Sequence, residues 1–186
     1  MAEDDLPSEV LRARTKWKYT GAVRPGFAVA PGPGRESVWD YPRPPRPAPD
    51  SRHVQVICEG VTIADTLRAI RVLETASPPT FYLAPDDINA EYLEASPRTS
   101  ICEWKGPARY WSIRAGRTLL RDVAWSYPEP YPGFEQIAGY YSFYPGRVEC
   151  WVDGKPVEPQ PGGFYGGWVT PEIVGPFKGE PGTEWW

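Results

Sequence analysis

The distribution of 24 prolines and 18 glycines through 186 residues is the feature that most limits this chain. Proline removes a backbone donor and clashes with the preceding helical turn, and glycine raises the entropic cost of a helix. Long helices are therefore excluded, and short antiparallel strands joined by tight turns are expected. Hydrophobic residues make up 41% of the chain and aromatics 14%, enough for one buried core and an argument against general disorder. Aliphatic side chains are scarce, so tryptophan and tyrosine must carry much of the burial, each needing a partner for its polar atom.

Charge narrows the partners. A net charge of −4 gives no general attraction to nucleic acid or to an anionic membrane. No apolar run approaches the roughly 20 residues of a membrane span. The acidic start, MAEDDLPSEV, lacks the basic and apolar regions of a signal peptide, so a cytoplasmic location is expected. Cys58, Cys102 and Cys150 are widely spaced and odd in number, and read as free, buried thiols.

Two regions are expected. Residues 1–50 read as an extended, Pro-rich N-terminal segment: the basic stretch with Arg12, Arg14, Lys16 and Lys18 precedes PGPGRESVWDYPRPPRPAP. Trp39 and Tyr41 within it favour a strap packed on the domain, with a PxxP ligand for a protein partner as the alternative. Residues 51–186 read as the β-rich core, of which 159–186 form a closing strap of glycine, proline and aromatic residues. HVQVICEGVTIADT has the alternation of a hairpin turning at Glu59-Gly60. Residues 65–75 fit strand or helix equally. PDDINAEYLEAS reads as one short helix, with Pro85, Asp86 and Asp87 at its start and Pro97 as its stop. Two more hairpins are expected, turning at Ala115-Gly116 and Asp153-Gly154. About eight strands of this kind must close as a barrel or pack as two sheets.

Much chemistry is excluded by what is missing. One histidine, His53, removes every site needing two imidazoles, and its place in a strand pattern reads as surface. No CxxC occurs, and no metal site or cofactor is expected. Neither GxxxxGK[ST] nor GxGxxG occurs, and the glycine pairs 162–163 and 166–167 precede no helix that would hold a phosphate. That tail is expected to close the fold, with Trp168, Phe177 and Trp185 covering apolar surface and Lys178 left to face a ligand.

SICEWKGPARYW is the densest polar-aromatic stretch. Read as extended, it places Cys102 and Trp104 on one side and Glu103 and Lys105 on the other. Lys105 is then a base or Schiff-base amine, an anion-binding cation, or a solvated strand residue. Tyr82, Tyr110 and the group Tyr140, Tyr141, Phe143 and Tyr144 are candidate pocket walls or plain core. Asp65 and Glu74 are candidate acid–base carboxylates.

GRESVWDYPRPPR, RVLET, PPTFY, SICEWKGPARYW, AWSYPEP, IAGYYSFYPGRV and PQPGGFYGGWVTPEIVGPFKGEPGT together resemble the domain-of-unknown-function family 427 (DUF427), in its actinobacterial type, in order from about residue 34 onward. The resemblance implies a single β-tent-like or barrel-like domain. The family also carries a nucleotidyltransferase-like label, but the chain lacks the glycine-serine and paired aspartates that hold magnesium in such enzymes. The expected function is binding of a small metabolite in an aromatic pocket on a sheet face, lined by Tyr82, Trp104, Lys105, Tyr110 and Tyr144, with Cys102 as an auxiliary thiol. One alternative is an enzyme acting on a small carbonyl or anionic metabolite through Lys105, Cys102 or Glu74. The other is a non-catalytic interaction module. The oligomeric state is left open.

Overall fold

A computed structural model describes residues 5–186. The described chain is mainly β. Helix α1 (Ser8–Arg14) and the short strand β1 (Glu36–Ser37) lead to β2 (Arg46–Asp50). Two hairpins follow, β3 (Val54–Cys58) with β4 (Val61–Thr66) and β5 (Ala69–Glu74) with β6 (Ser77–Tyr82). A meander runs through β7 (Leu93–Cys102), β8 (Gly106–Ala115), β9 (Thr118–Ser126) and β10 (Tyr141–Phe143). Strands β11 (Glu149–Val152) and β12 (Lys155–Pro156) make a last hairpin. The tail adds β13 (Glu158–Pro159), β14 (Trp168–Val169) and β15 (Ile173–Val174).

The larger sheets have the orders β10-β9-β8-β7, β12-β11-β3-β4 and β2-β5-β6, and none of them closes into a barrel among the described residues. Each follows from local sequence. In β3, alternation of Val54, Val56 and Cys58 buries one face, and both turn residues, Glu59 and Gly60, take the positive φ that a two-residue hairpin turn requires. Asp153 and Gly154 do the same between β11 and β12. Residues 65–75, open to either reading in the sequence, end β4 and then form β5, in which Ile70 and Val72 pair on both sides with β2 and β6. Strand β2 contains Pro47 and Pro49. Alternate residues of a strand point their N–H groups to opposite sides, so both prolines lack donors only on the free edge.

Three expectations about local structure are corrected. PDDINAEYLEAS is not a helix: it forms two single 3-10 turns, Pro85–Asp87 and Ala90–Tyr92, and then enters β7. Tertiary partners override its propensity, since Asn89 N–H donates to Ile63 O at 2.8 Å and Asp87 accepts from Thr66 Oγ1 at 2.6 Å. The helix of the structure is instead α1, inside the N-terminal segment expected to be extended, with Glu9 in its first turn and Arg12 and Arg14 in its last. In the tail, Trp185 is exposed, and it is Trp186 that stacks on Phe27 and packs edge-on against the buried Trp39.

The main core lies between the sheets and is centred on Val54, Val56, Ile63, Phe81, Ile113, Phe143 and Trp168. The Trp168 ring stacks on Phe81 at 4.8 Å between centroids, and its indole N–H donates to Phe143 O at 2.9 Å. A second cluster holds Tyr82, Trp104, Tyr110, Trp125 and Tyr127. A third packs Val38, Trp39, Tyr41 and Leu73 under Tyr19 and Trp186. Ion pairs hold the outer segments down: Arg52 pairs with Asp50 at 2.7 Å and also with Glu172 of the tail.

Trp168 is fully buried and hydrogen-bonded, so Trp168→Ala is expected to destabilise the protein by about 3–5 kcal/mol. Urea unfolding measures the loss. An unchanged midpoint would contradict the packing described.

Candidate functional site

A cavity of about 340 Å³ opens beside the second aromatic cluster. That size suits a small metabolite. Its wall comes from β5 and β6 (Val72, Glu74, Tyr82), the end of β7 (Arg98, Ser100, Cys102), and Tyr110, Trp125 and Tyr144 from the meander. Its cover comes from both ends of the chain, with Trp17 on one side and Gln160, Phe164, Tyr165, Gly166 and Lys178 on the other. Tyr82, Cys102, Trp104, Lys105, Tyr110, Tyr144 and Glu74, singled out from scattered sequence positions, all border this one space.

The other candidates lie elsewhere. Asp65 faces His53 at 2.8 Å on the exposed β3–β4 hairpin, and that hydrogen bond holds its carboxyl below the usual range. Phe143 is core, and Tyr141 packs on Trp111 with centroids 5.3 Å apart. Tyr140 packs against the second aromatic cluster but does not border the cavity. Cys58 and Cys150 are buried outside it, and burial pushes both thiols up.

The SICEWK segment is not extended throughout, a further correction. Strand β7 stops at Cys102, Glu103 to Lys105 form a turn, and β8 begins at Gly106 opposite Cys102. Gly106 has φ +102, and a Cβ there would press on Tyr131 at 3.3 Å. The turn buries Trp104 and Lys105 together instead of separating them by face. Arg14 locks it from outside by donating to Glu103 O at 2.7 Å, and Tyr131 N–H donates to Lys105 O at 3.1 Å.

Acceptors and donors around the cavity differ in how well they are satisfied. Glu74 pairs with Arg43 at 3.2 Å. Glu103 accepts from the Trp17 indole at 3.0 Å and from the Cys102 thiol at 3.8 Å. By contrast, the buried Trp104 Nε1 and Tyr82 Oη make no well-formed hydrogen bond. The Lys105 ammonium is in no ion pair or hydrogen bond among the described residues. Burial disfavours its charge, yet nearby Cys102, Tyr82, Glu74 and Glu103 outweigh that and hold its pKa above the ordinary lysine value. Lys105 is thus a fixed cation, without the depressed pKa that a lysine base or Schiff-base amine at this position requires. Burial also lifts the Tyr82 hydroxyl to about 12, which keeps it a donor.

Lys178 is the opposite case. Its backbone is held firmly: its N–H donates to Ala76 O at 2.8 Å, and its carbonyl accepts from Gln160 Nε2 at 2.8 Å. The amine lies over the Trp17 ring, 3.5 Å from the centroid, and reaches Trp186 O at 3.4 Å. Arg43 occupies the same indole at 4.6 Å. Burial lowers the Lys178 pKa to about 8, Arg43 adds to the effect, and Glu74, Glu103 and Glu184 oppose it.

Trp17, Arg98, Trp125, Tyr127 and Gln160 also line the cavity and are not among the residues singled out from the sequence. For Trp17 the one available signal was a lone tryptophan within a basic stretch. The tail passes close because Gly166 lies flat on Trp125, where a Cβ would meet the ring at 2.1 Å.

Among known families, a model described as a domain of unknown function (DUF427) matches residues 46–154. No curated protein matches the chain. Trp17 and the tail residues of the cover fall outside the matched span, whereas Glu74, Tyr82 and the turn with Lys105 fall inside it.

In ¹³C spectra of protein labelled at lysine Cε, one signal is expected to titrate with a midpoint of about 8 and to vanish in Lys178→Arg. A folded pKa below the unfolded one means that the unfolded chain binds more protons between about pH 8 and 10.5. Stability relative to Lys178→Met should therefore rise with pH across that window. A flat difference would place Lys178 in a different environment.

Proposed function

The chain belongs to the DUF427 family, and we propose that it is a cytoplasmic protein whose cavity binds a small anionic metabolite with a planar or aromatic body. The observation that carries this reading is the imbalance of hydrogen-bonding groups. The carboxylates bordering the cavity are engaged by Arg43, Trp17 and Cys102, while Trp104 Nε1 and Tyr82 Oη are buried without a well-formed hydrogen bond and the Lys105 ammonium, held charged by its surroundings, makes no ion pair among the described residues. An unpaired buried donor costs about 1–3 kcal/mol, more if charged, so a ligand bringing acceptor oxygens recovers what folding leaves unmet. Lys105 holds the anionic group, Trp104 and Tyr82 donate to it, and Tyr110, Trp125 and Tyr144 supply ring faces for the body of the ligand.

Thermal-shift measurements with small aromatic carboxylates and phosphates, each against its neutral amide or alcohol, test the reading. At about a hundredfold over Kd, a matching anion stabilises the fold by about 2.7 kcal/mol. The anions should raise the melting temperature and the neutral analogues should not. Lys105→Met should abolish the difference while remaining folded by circular dichroism. Equal shifts for anion and neutral analogue, or a response unchanged in Lys105→Met, would overturn it.

A further inference from the structure

Phe164 borders the cavity, yet 73% of its surface is exposed. Its loop is pinned at both feet and free at its tip. Gln160 N–H donates to Gly167 O and Gly167 N–H to Gln160 Oε1, both at 3.1 Å, which ties the two ends together. Gly162 lies against Gly179 O of the tail and Gly166 against the Trp125 ring, each too close for a Cβ. Between these feet, Gly163, Phe164 and Tyr165 make no hydrogen bond among the described residues. Gly163 has φ +68 and open space where a Cβ would project. The rings of Phe164 and Tyr165 meet edge-on with centroids 5.0 Å apart. Tyr165 faces the Lys178 amine, 5.2 Å from its ring centroid, while Phe164 is left in solvent. A lone exposed phenyl ring is ordinary on a protein surface. On an unbonded loop tip at the edge of a cavity, it has apolar surface to bury once the cavity is filled.

We infer that the 162–166 loop is a lid and that Phe164 is a ligand-contact residue, its ring closing over the planar body of a molecule bound in the cavity. The inference rests on the anion-binding reading above for what occupies the cavity. Gly166 sits on Trp125, so Phe164, two residues earlier, is within about 7 Å of chain from that wall. Closure breaks no hydrogen bond of the tip, and the feet stay where Gln160, Gly179 and Trp125 hold them. Its cost is the ordering of the tip residues, which burial of a phenyl ring against the ligand offsets. In the closed position the body of the ligand lies between Phe164 and the rings of Trp125 and Tyr144. A bound anion without such a body gives the ring nothing to cover, and the tip then stays open. Lys105 reads the charge of the ligand, and Phe164 reads its apolar face.

The test uses 2-naphthoate as probe, 2-naphthamide as its uncharged counterpart and acetate as the anion without a planar body. Hydrogen exchange of the full-length protein is followed by mass spectrometry on the peptide spanning residues 162–167. The amides of 163–165 should exchange freely in the free protein and about tenfold or more slowly with 2-naphthoate. Acetate should leave them unchanged. Phe164→Ala should melt with the wild type, because the ring is exposed, but bind 2-naphthoate about tenfold more weakly, with the loss in the dissociation rate. Should that variant not fold, exchange in the wild type decides alone. Unchanged exchange at 163–165 with both naphthalene compounds would overturn the lid, and stabilisation by 2-naphthoate alone in that case would leave anion binding standing. Slowed exchange with equal stabilisation by 2-naphthoate and 2-naphthamide would support the lid and sink the anion-binding reading.

Discussion

The stack of Trp168 on Phe81 is the contact on which the rest of the molecule depends. The sheets are small and open, and β6, which carries Phe81, also carries Tyr82 toward the cavity. Neighbouring residues of a strand face opposite sides, so fixing Phe81 in the core fixes Tyr82 at the wall. Trp168 in turn ends the glycine-rich run, and its indole bond to Phe143 O sets where that run crosses. Gly167 is threaded just before it, with room for no side chain between Gln160 and Pro78. Core and cover are therefore not independent: the ring that fills the interior also holds the tail over the cavity.

Electrostatically, the cavity holds its charges in unequal environments. The environment of Lys105 includes a thiol, a tyrosine and two carboxylates, and their combined field exceeds the cost of burial. At Lys178 the balance reverses: burial lowers its pKa, Arg43 adds to the effect, and Glu74, Glu103 and Glu184 offset only part of it. Two residues of one chemical type thus have different protonation behaviour around one space.

The strands were legible wherever side chains alternated and turns were spelled by glycine, as in β3–β4 and β11–β12. Residues 85–96 were not, because their conformation is set by Ile63 and Thr66, partners that local propensity does not include. The site was partly legible for a chemical reason. Lysine, cysteine and tryptophan crowded into Cys102–Lys105 are an unusual set, and the tyrosines that join them are few. The bend at Glu103 was hidden, since extended pairing and a turn require the same residues until the register with Gly106 is known. Trp17 was beyond reach, as its role arises from contacts with Glu103 and Lys178, 86 residues away for the first.

The cover of the cavity lies outside the span that matches the family, and its floor lies inside it. A molecule divided in this way surrounds its cavity with parts of two kinds. Exchanging only the cover side chains, with Arg14 and Trp168 kept, would leave the turn where it is and change the surface above it. On the proposed binding role, selectivity would then change through a few side chains such as Trp17 and Tyr165 and not through the sheets, much as a lock is rekeyed without rebuilding the door.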